Sequence, residues 1–152
     1  MKKITLLIIA LSFTFFVQAQ DTTSFNFTFN HLALSVKDVE RSTDFYKKVL
    51  NLKEITNRTK TEGIRWLSLG EDKELHLISV LKDPFIINKA IHLGLTTPNF
   101  DAFIKRLEGL KINYSDWPGT ASAITKRADG VKQIYFQDPD NYWIEINNIG
   151  QN

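Results

Sequence analysis

Three histidines and one glutamate occupy corresponding positions in two similar parts of the chain. The segment HLALSV begins at His31 and HLGL begins at His92, while ELHLI contains His76 and YWIEI contains Glu145. The chain has no cysteine, which excludes disulfides, thiolate metal sites and a catalytic thiol. Imidazole and carboxylate groups bind Zn, Ni, Co, Mn and Fe(II) without cysteine. We therefore predict that these four side chains hold one divalent metal ion.

The alternation of apolar and polar residues around these four positions predicts that they share a cavity. Successive side chains of a strand point to opposite faces, so each of the four segments places Leu or Ile on one face and a His or Glu on the other. The apolar faces contain Leu32, Leu34, Leu75, Leu77, Leu93, Leu95, Ile144 and Ile146. If two sheets curve together, the opposite faces line one hollow. A polar surface with incidental histidines is the alternative interpretation.

The two parts of the chain repeat one order of elements. Each opens with a strand and an amphipathic helix and ends with a strand, a turn and a strand. Trp66 precedes His76 by ten positions, and Tyr135 precedes Glu145 by ten. Each part is therefore predicted to be a βαβββ module, at about 27–82 and 88–149. The least distinct strand of each module is expected near 53–57 and 112–116.

Further side chains are candidates for substrate binding or acid–base chemistry. The substrate-binding candidates are Trp66, Trp117, Lys126, Arg127 and Tyr135. Packing is the alternative role for Trp66 and Tyr135, and a solvated loop is the alternative for the two basic residues. Trp117 lies in a predicted loop, where it could act as a lid. Glu74 shares a predicted face with His76 and is a second candidate acid or base after Glu145.

The first 19 residues have the pattern of an export signal. Lys2 and Lys3 precede an apolar run, and Val17-Gln18-Ala19 fits a cleavage site. The run of about 14 residues is shorter than the roughly 20 that span a bilayer, although an uncleaved anchor is an alternative. We predict a signal at 1–19, a short lead at 20–26 and one domain at 27–149 that is periplasmic or secreted, with no membrane association after cleavage.

Composition and charge describe a globular domain with no bias towards nucleic acid. Hydrophobic residues make up 43% of the chain and charged residues 24%. Of the 19 Lys and Arg residues, two lie in the predicted signal, and the remaining 17 equal the number of Asp and Glu residues. A near-neutral domain without a basic cluster is not expected to bind nucleic acid.

At these motifs the chain resembles the vicinal-oxygen-chelate superfamily. That group includes glyoxalase I, methylmalonyl-CoA epimerase, extradiol dioxygenases, fosfomycin-resistance enzymes and bleomycin-binding proteins. The resemblance rests on HLALSV, ELHLI, HLGL and, most specifically, DPDNYWIEIN, and it extends over about residues 27–148. It implies an α+β fold, in which two βαβββ modules form a cupped, barrel-like mixed sheet with the helices outside. It also implies metal ligands at His31, His76, His92 and Glu145.

The resemblance implies a glyoxalase-like lyase or isomerase that chelates a small substrate through two neighbouring oxygens. Glu145 would then serve as both metal ligand and general base. Glyoxalase I and the epimerase usually have Glu or Gln where this chain has His76, which leaves an Fe(II) dioxygenase or an epoxide-opening transferase as alternatives. A non-enzymatic protein that binds a toxin or antibiotic is a further alternative. Members of the family often pair, so a homodimer is possible.

Overall fold

The computed structural model describes residues 28–80 and 87–150. The first module contains β1 (His31–Ser35), α1 (Val39–Leu50), β2 (Lys53–Ile55), β3 (Ile64–Gly70) and β4 (Lys73–Ile78). The second contains β5 (His92–Thr96), α2 (Phe100–Gly109), β6 (Thr125–Lys126), β7 (Lys132–Gln137) and β8 (Trp143–Asn147). The predicted export signal and lead, residues 1–26, lie outside the described residues, so export stays a prediction.

Each module forms its own four-stranded mixed sheet, and the two sheets have the same topology. The strand orders are β1-β4-β3-β2 and β5-β8-β7-β6. In each sheet the first strand pairs in parallel with the last, and the other neighbours are antiparallel. This confirms the α+β fold of two βαβββ modules. Within the described residues the two sheets are cupped and do not close into a barrel.

The second module differs from the sequence prediction near 112–116, where we expected a strand. Ser115 alone makes bridges there, to Ala121 and to Tyr135, and the short strand of this module is β6. The cause is the turn that follows Ser115. The Asp116 carboxylate accepts hydrogen bonds from the backbone N–H groups at positions 119 and 120, and Pro118 has no N–H to donate to a ladder.

The two helices cover the apolar faces of the sheets. Asp38 caps α1 by accepting hydrogen bonds from the backbone N–H groups of Glu40 and Arg41, as its position before the helix predicts. The buried side chains of α2 are Phe100, Ile104 and Leu107, spaced at three and four residues. No helix among residues 28–80 and 87–150 is long and apolar enough to cross a membrane.

The turn between β7 and β8 fastens the second module to the first. Tyr46 of α1 donates its O–H to Asp138 at 2.9 Å, and Ser42 donates to Asp140 at 2.8 Å. Tyr142 donates in turn to the Ser35 carbonyl at 3.0 Å. Asp138 is 4% exposed, and its burial raises the pKa of its carboxyl. The DPDN motif thus positions the two sheets relative to each other.

Candidate functional site

The register of the strands places the predicted site residues on the polar faces of the two sheets. His76 lies opposite Trp66 on β3, and Glu145 lies opposite Tyr135 on β7. These two cross-strand pairs occupy equivalent places in the two modules, which is the ten-residue correspondence seen in the sequence. The sheets therefore present a His–Trp pair in one module and a Glu–Tyr pair in the other.

In the second module, His92 and Glu145 form a pair with the spacing of two ligands of one ion. The His92 Nε2 lies 3.3 Å from the Glu145 Oε2. The His92 Nδ1 lies 3.0 Å from the Lys89 carbonyl, which can only accept, so Nδ1 carries the hydrogen and donates it. In a neutral ring the Nε2 lone pair then faces a carboxylate, an arrangement that requires a shared proton or cation. Two ligands about 2.1 Å from one ion lie about 3.0–3.4 Å apart.

Glu145 is held on both of its oxygens. Tyr135 donates its O–H to Oε2 at 2.6 Å, and the Asn147 amide donates to Oε1 at 2.9 Å. The Gln133 amide donates to the Tyr135 oxygen, so four side chains of one face are linked by hydrogen bonds. Burial, together with the hydrogen bond to the Glu145 carboxylate, raises the pKa of Tyr135. The phenol therefore stays protonated and continues to donate to Glu145.

In the first module, three aromatic rings form a parallel stack. The ring centroids of His31 and His76 are 4.3 Å apart with an interplanar angle of 13°. Trp66 covers the other side of His76 at 4.0 Å and 6°, and the Arg58 guanidinium lies 4.4 Å from the Trp66 ring centroid. The stack holds the His76 ring between two flat neighbours.

Glu74 completes this cluster from the edge of the stack. It accepts from His76 Nε2 at 2.8 Å and from Arg58 at 2.8 and 3.0 Å. The hydrogen bonds from His76 and then from Arg58 lower the pKa of Glu74, which keeps its carboxylate ionised. The ion pair with Arg58 and the hydrogen bond from His76 make Glu74 a weak base that orients the His76 ring, and its role as a second acid or base stays a prediction.

The stack also affects which imidazole nitrogens are available to an ion. A ring nitrogen binds a metal along the plane of its ring, so two rings in separate parallel planes do not direct their lone pairs at one ion. His31 donates from Nδ1 to the Asn30 side-chain oxygen at 2.7 Å, which leaves its Nε2 unprotonated in a neutral ring. His31 and His92 therefore have the same hydrogen-bonding pattern, in which Nδ1 donates to an oxygen of a nearby residue. His76 instead donates from Nε2 to Glu74 and stacks on Trp66.

The four predicted ligands lie in two pairs and not in one cluster. Within residues 28–80 and 87–150, no group of three His, Asp or Glu side chains is close enough together to hold a metal ion. His31 and His92 are both exposed, at the open faces of their sheets. A single chain does not gather the four side chains, and their assignment as metal ligands stays a prediction.

The remaining predicted residues divide between the two modules. Trp66 belongs to the stack, and Tyr135 belongs to the Glu145 pair. Trp117 is 47% exposed, and its ring lies 5.4 Å from Tyr135 and 6.4 Å from His92, which places it beside the second pair. The exposed residues Lys126 and Arg127 lie in the β6–β7 hairpin, where Arg127 pairs with Asp129 at 2.6 Å. The role of these two basic residues in binding stays a prediction.

Sequence reasoning missed several residues that contact the predicted ones. Gln133 and Asn147 lie two positions from Tyr135 and Glu145, so strand periodicity could have identified them. Arg58 and Lys89 lie on connections between strands, where no periodic pattern predicts which way a side chain points. Their contacts depend on the path of the connection, which only the folded chain shows.

Comparison with known proteins gives concordant matches. A sequence model of the Glyoxalase/Bleomycin resistance protein/Dioxygenase superfamily matches residues 28–146. The metallothiol transferase FosB of Bacillus licheniformis is 30% identical over 125 residues, covering 77% of this chain and 72% of that protein. The lactoylglutathione lyase of Pseudomonas aeruginosa is 26% identical over 164 residues, covering 83% and 85%. The structure of a glyoxalase/dioxygenase from Nostoc punctiforme has a TM-score of 0.63 and 26% identity, covering 80% and 90%.

Proposed function

The chain belongs to the Glyoxalase/Bleomycin resistance protein/Dioxygenase superfamily, and on that premise we propose that it is a divalent-metal-dependent lyase or isomerase. Its substrate would be a small molecule with two neighbouring oxygens. The observation that carries this proposal is the His92–Glu145 pair, whose 3.3 Å spacing and single orientation suit two ligands of one ion. The lactoylglutathione lyase among its relatives supports the same class of reaction.

The donor types fit a divalent metal, but one chain supplies only a pair of them at each place. We propose that a second copy completes the site, so that the His31 face of one chain meets the His92–Glu145 face of the other. Both histidines are exposed, which supports this arrangement. In a dimer with two-fold symmetry, the contact between the His31 face and the His92–Glu145 face would form twice, once in each direction. Bound there, the ion would supply Lewis-acid polarisation of the substrate oxygens.

The residues around Glu145 suit a carboxylate that moves a proton between neighbouring carbons. Glu145 Oε2 would accept a proton from one carbon and return it to the next. The Tyr135 O–H and the Asn147 amide would hold the carboxylate in one place during both transfers. Because Tyr135 remains a donor to Oε2, it also limits the rotation of the carboxylate away from the substrate.

The test is the metal content of the purified protein, measured by mass spectrometry after dialysis. We expect about one ion per chain in the wild type and in Lys105→Met, an exposed position on α2. The double variant His31→Ala/His92→Ala should lose the ion because it lacks one imidazole on each face. Full metal retention in the double variant would contradict the proposal, and chelator-resistant binding of a small ligand by metal-free protein would favour a binding protein.

A thiol transferase is the second candidate, and the position of His76 favours it. Because His76 donates its Nε2 hydrogen to Glu74 and lies between His31 and Trp66, we take His31, His92 and Glu145 as the ligand set. The resemblance to fosfomycin-resistance enzymes and to extradiol dioxygenases implies such a set of two imidazoles and one carboxylate. The FosB relative, named a metallothiol transferase, agrees with it. Turnover of an epoxide with a thiol, and none of a 2-oxoaldehyde–thiol adduct, would select the transferase.

A further inference from the structure

The ammonium group of Lys89 lies in a box of three aromatic rings. Its Nζ is 4.5 Å from the ring centroid of Tyr135, 4.7 Å from that of Trp143 and 5.6 Å from that of Trp117. All three distances are within the roughly 6 Å over which an ammonium is attracted by the face of a ring. We call these three residues the aromatic box. Tyr135 and Trp143 are contributed by β7 and β8, and Trp117 by the turn at residues 116–120, which we call the Trp117 turn.

Hydrogen bonds fix the same ammonium to that turn. Lys89 Nζ donates to the Asp116 carbonyl at 2.6 Å, to the Trp117 carbonyl at 3.0 Å and to the Ser115 hydroxyl at 3.3 Å. An ammonium has three hydrogens, so these three acceptors use all of them. Lys89 therefore has no ammonium hydrogen left for an anionic substrate.

Lys89 also contacts the proposed site through its backbone. Its carbonyl accepts from His92 Nδ1, which sets the ring orientation that leaves Nε2 towards Glu145. The Tyr135 ring that forms one wall of the box carries the O–H that donates to Glu145. One residue thus links the Trp117 turn, the wall of the box and the His92 ring.

We propose that Lys89 is a positioning residue whose ammonium, seated in the aromatic box, holds the Trp117 turn against the His92–Glu145 pair. The inference rests on the proposed function only in taking that pair as the reactive group, and the box itself is independent of any metal. Replacing the ammonium by a neutral chain removes the hydrogen bonds and the attraction to three rings together. The turn would then release Trp117 from its place beside His92.

Nuclear magnetic resonance of the wild-type protein gives the first test. The methylene protons next to Nζ of Lys89 should resonate well upfield of those of the other lysines, because three ring faces shield them. Lys105, exposed on α2, is the internal comparison. A Lys89 side chain with the shifts of Lys105 would overturn the proposal without any variant.

The second test uses the indole N–H signals of the three tryptophans in chelator-treated protein. In Lys89→Met the Trp117 and Trp143 signals should move, and Trp66, which belongs to the other sheet, should not. In Lys89→Ala, added n-propylammonium should saturably return both signals towards their wild-type positions, and 1-propanol should not. Lys89→Arg should keep the wild-type pattern in large part, since a guanidinium also donates and stacks.

The two tests separate this inference from the proposed function. Unchanged Trp117 and Trp143 signals in Lys89→Met, or equal rescue by the alcohol, would overturn the role of Lys89 whatever the metal content. If Lys89→Met moved the Trp66 signal as well, the shielding of Lys89 in the wild type would decide. If the purified wild-type protein contained no metal, that result would contradict the proposed function. The role of Lys89 in the aromatic box would not be affected.

Discussion

Equivalent positions in the two modules carry side chains that make different interactions. The cross-strand pair is Trp66 and His76 in the first sheet, where the rings stack. It is Tyr135 and Glu145 in the second, where a phenol donates to a carboxylate. One backbone arrangement therefore supports an aromatic cluster in one module and a held carboxylate in the other. Residue identity at these positions, and not the fold, distinguishes the two faces.

Removal of the Tyr135 hydroxyl should destabilise the protein measurably. In Tyr135→Phe the buried Glu145 loses its 2.6 Å donor and the Gln133 amide loses its acceptor, at a cost of about 1–3 kcal/mol. The matched control is Tyr114→Phe, since Tyr114 donates to an exposed Glu108 at 3.2 Å, and its loss should be about 0.5 kcal/mol or less. Urea unfolding measures both, and equal losses would contradict the role assigned to Tyr135.

At the residue scale the sequence predicts which side chains share a face and little about what they touch. The sequence showed the same ten-residue spacing from Trp66 to His76 and from Tyr135 to Glu145, and the register places the two members of each pair opposite each other on neighbouring strands. It did not predict that His31 stacks on His76, because a rotamer depends on neighbours from other strands. Lys89 was not identified at all, since its ammonium reaches its partners from a connection without periodicity.

At the element scale, the turn between β7 and β8 does more than reverse the chain. Its two carboxylates accept hydrogen bonds from Tyr46 and Ser42 on the helix of the other module. Asp138 additionally accepts from the backbone N–H groups of Asp140 and Tyr142, so the turn and the contact between modules depend on the same side chain. The acidic side chains of the DPDN motif therefore serve two structural purposes, the turn itself and the contact between the modules.

The raised pKa of Asp138 predicts how stability depends on pH. The folded state keeps the Asp138 proton to a higher pH than the unfolded chain does, because the pKa of an aspartate in the unfolded chain is about 3.9. The stabilisation linked to that proton is complete below about pH 3.9 and is lost as the pH rises through the raised pKa. The difference in unfolding free energy between wild type and Asp138→Asn should therefore fall with rising pH above about 4.

Urea unfolding at several pH values checks this prediction, with Asp101→Asn as a control at an exposed position of α2. The control difference should not fall with rising pH over the same range. A difference for Asp138→Asn that stays constant, or that grows as the pH rises, would show that burial does not raise the pKa of this carboxyl.

The elements themselves were largely predictable, and the exception has a local cause. The helices and long strands follow apolar periodicity, and the Asp38 cap fixes where α1 begins. The strand expected near 112–116 is absent because turn chemistry at Asp116 and Pro118 competes with strand pairing. Short polar segments carry too weak a pattern to predict pairing, so β6 could be identified only from the structure.

At the scale of the whole molecule, the duplication places the four predicted ligands in two pairs, one on each sheet. Each sheet offers an imidazole at its open face, at His31 and His92, and each imidazole has its Nδ1 fixed by an oxygen of a nearby residue. The sequence predicts these donors but not their separation, because periodicity gives the face of a sheet and not the angle between sheets. In a dimer with two-fold symmetry, the His31 face of each chain would meet the His92–Glu145 face of the other chain, which would give two shared sites.

Complementation between two defective chains tests this arrangement most directly. One chain carries His31→Ala and the other carries His92→Ala with Glu145→Gln, and the two are produced separately and together. Neither alone should retain metal. A coexpressed, randomly paired sample should retain about one quarter of the wild-type metal per chain, because half of the pairs contain one intact site. Absence of metal from the coexpressed sample, with full metal in a wild-type monomer, would contradict a site shared between two chains.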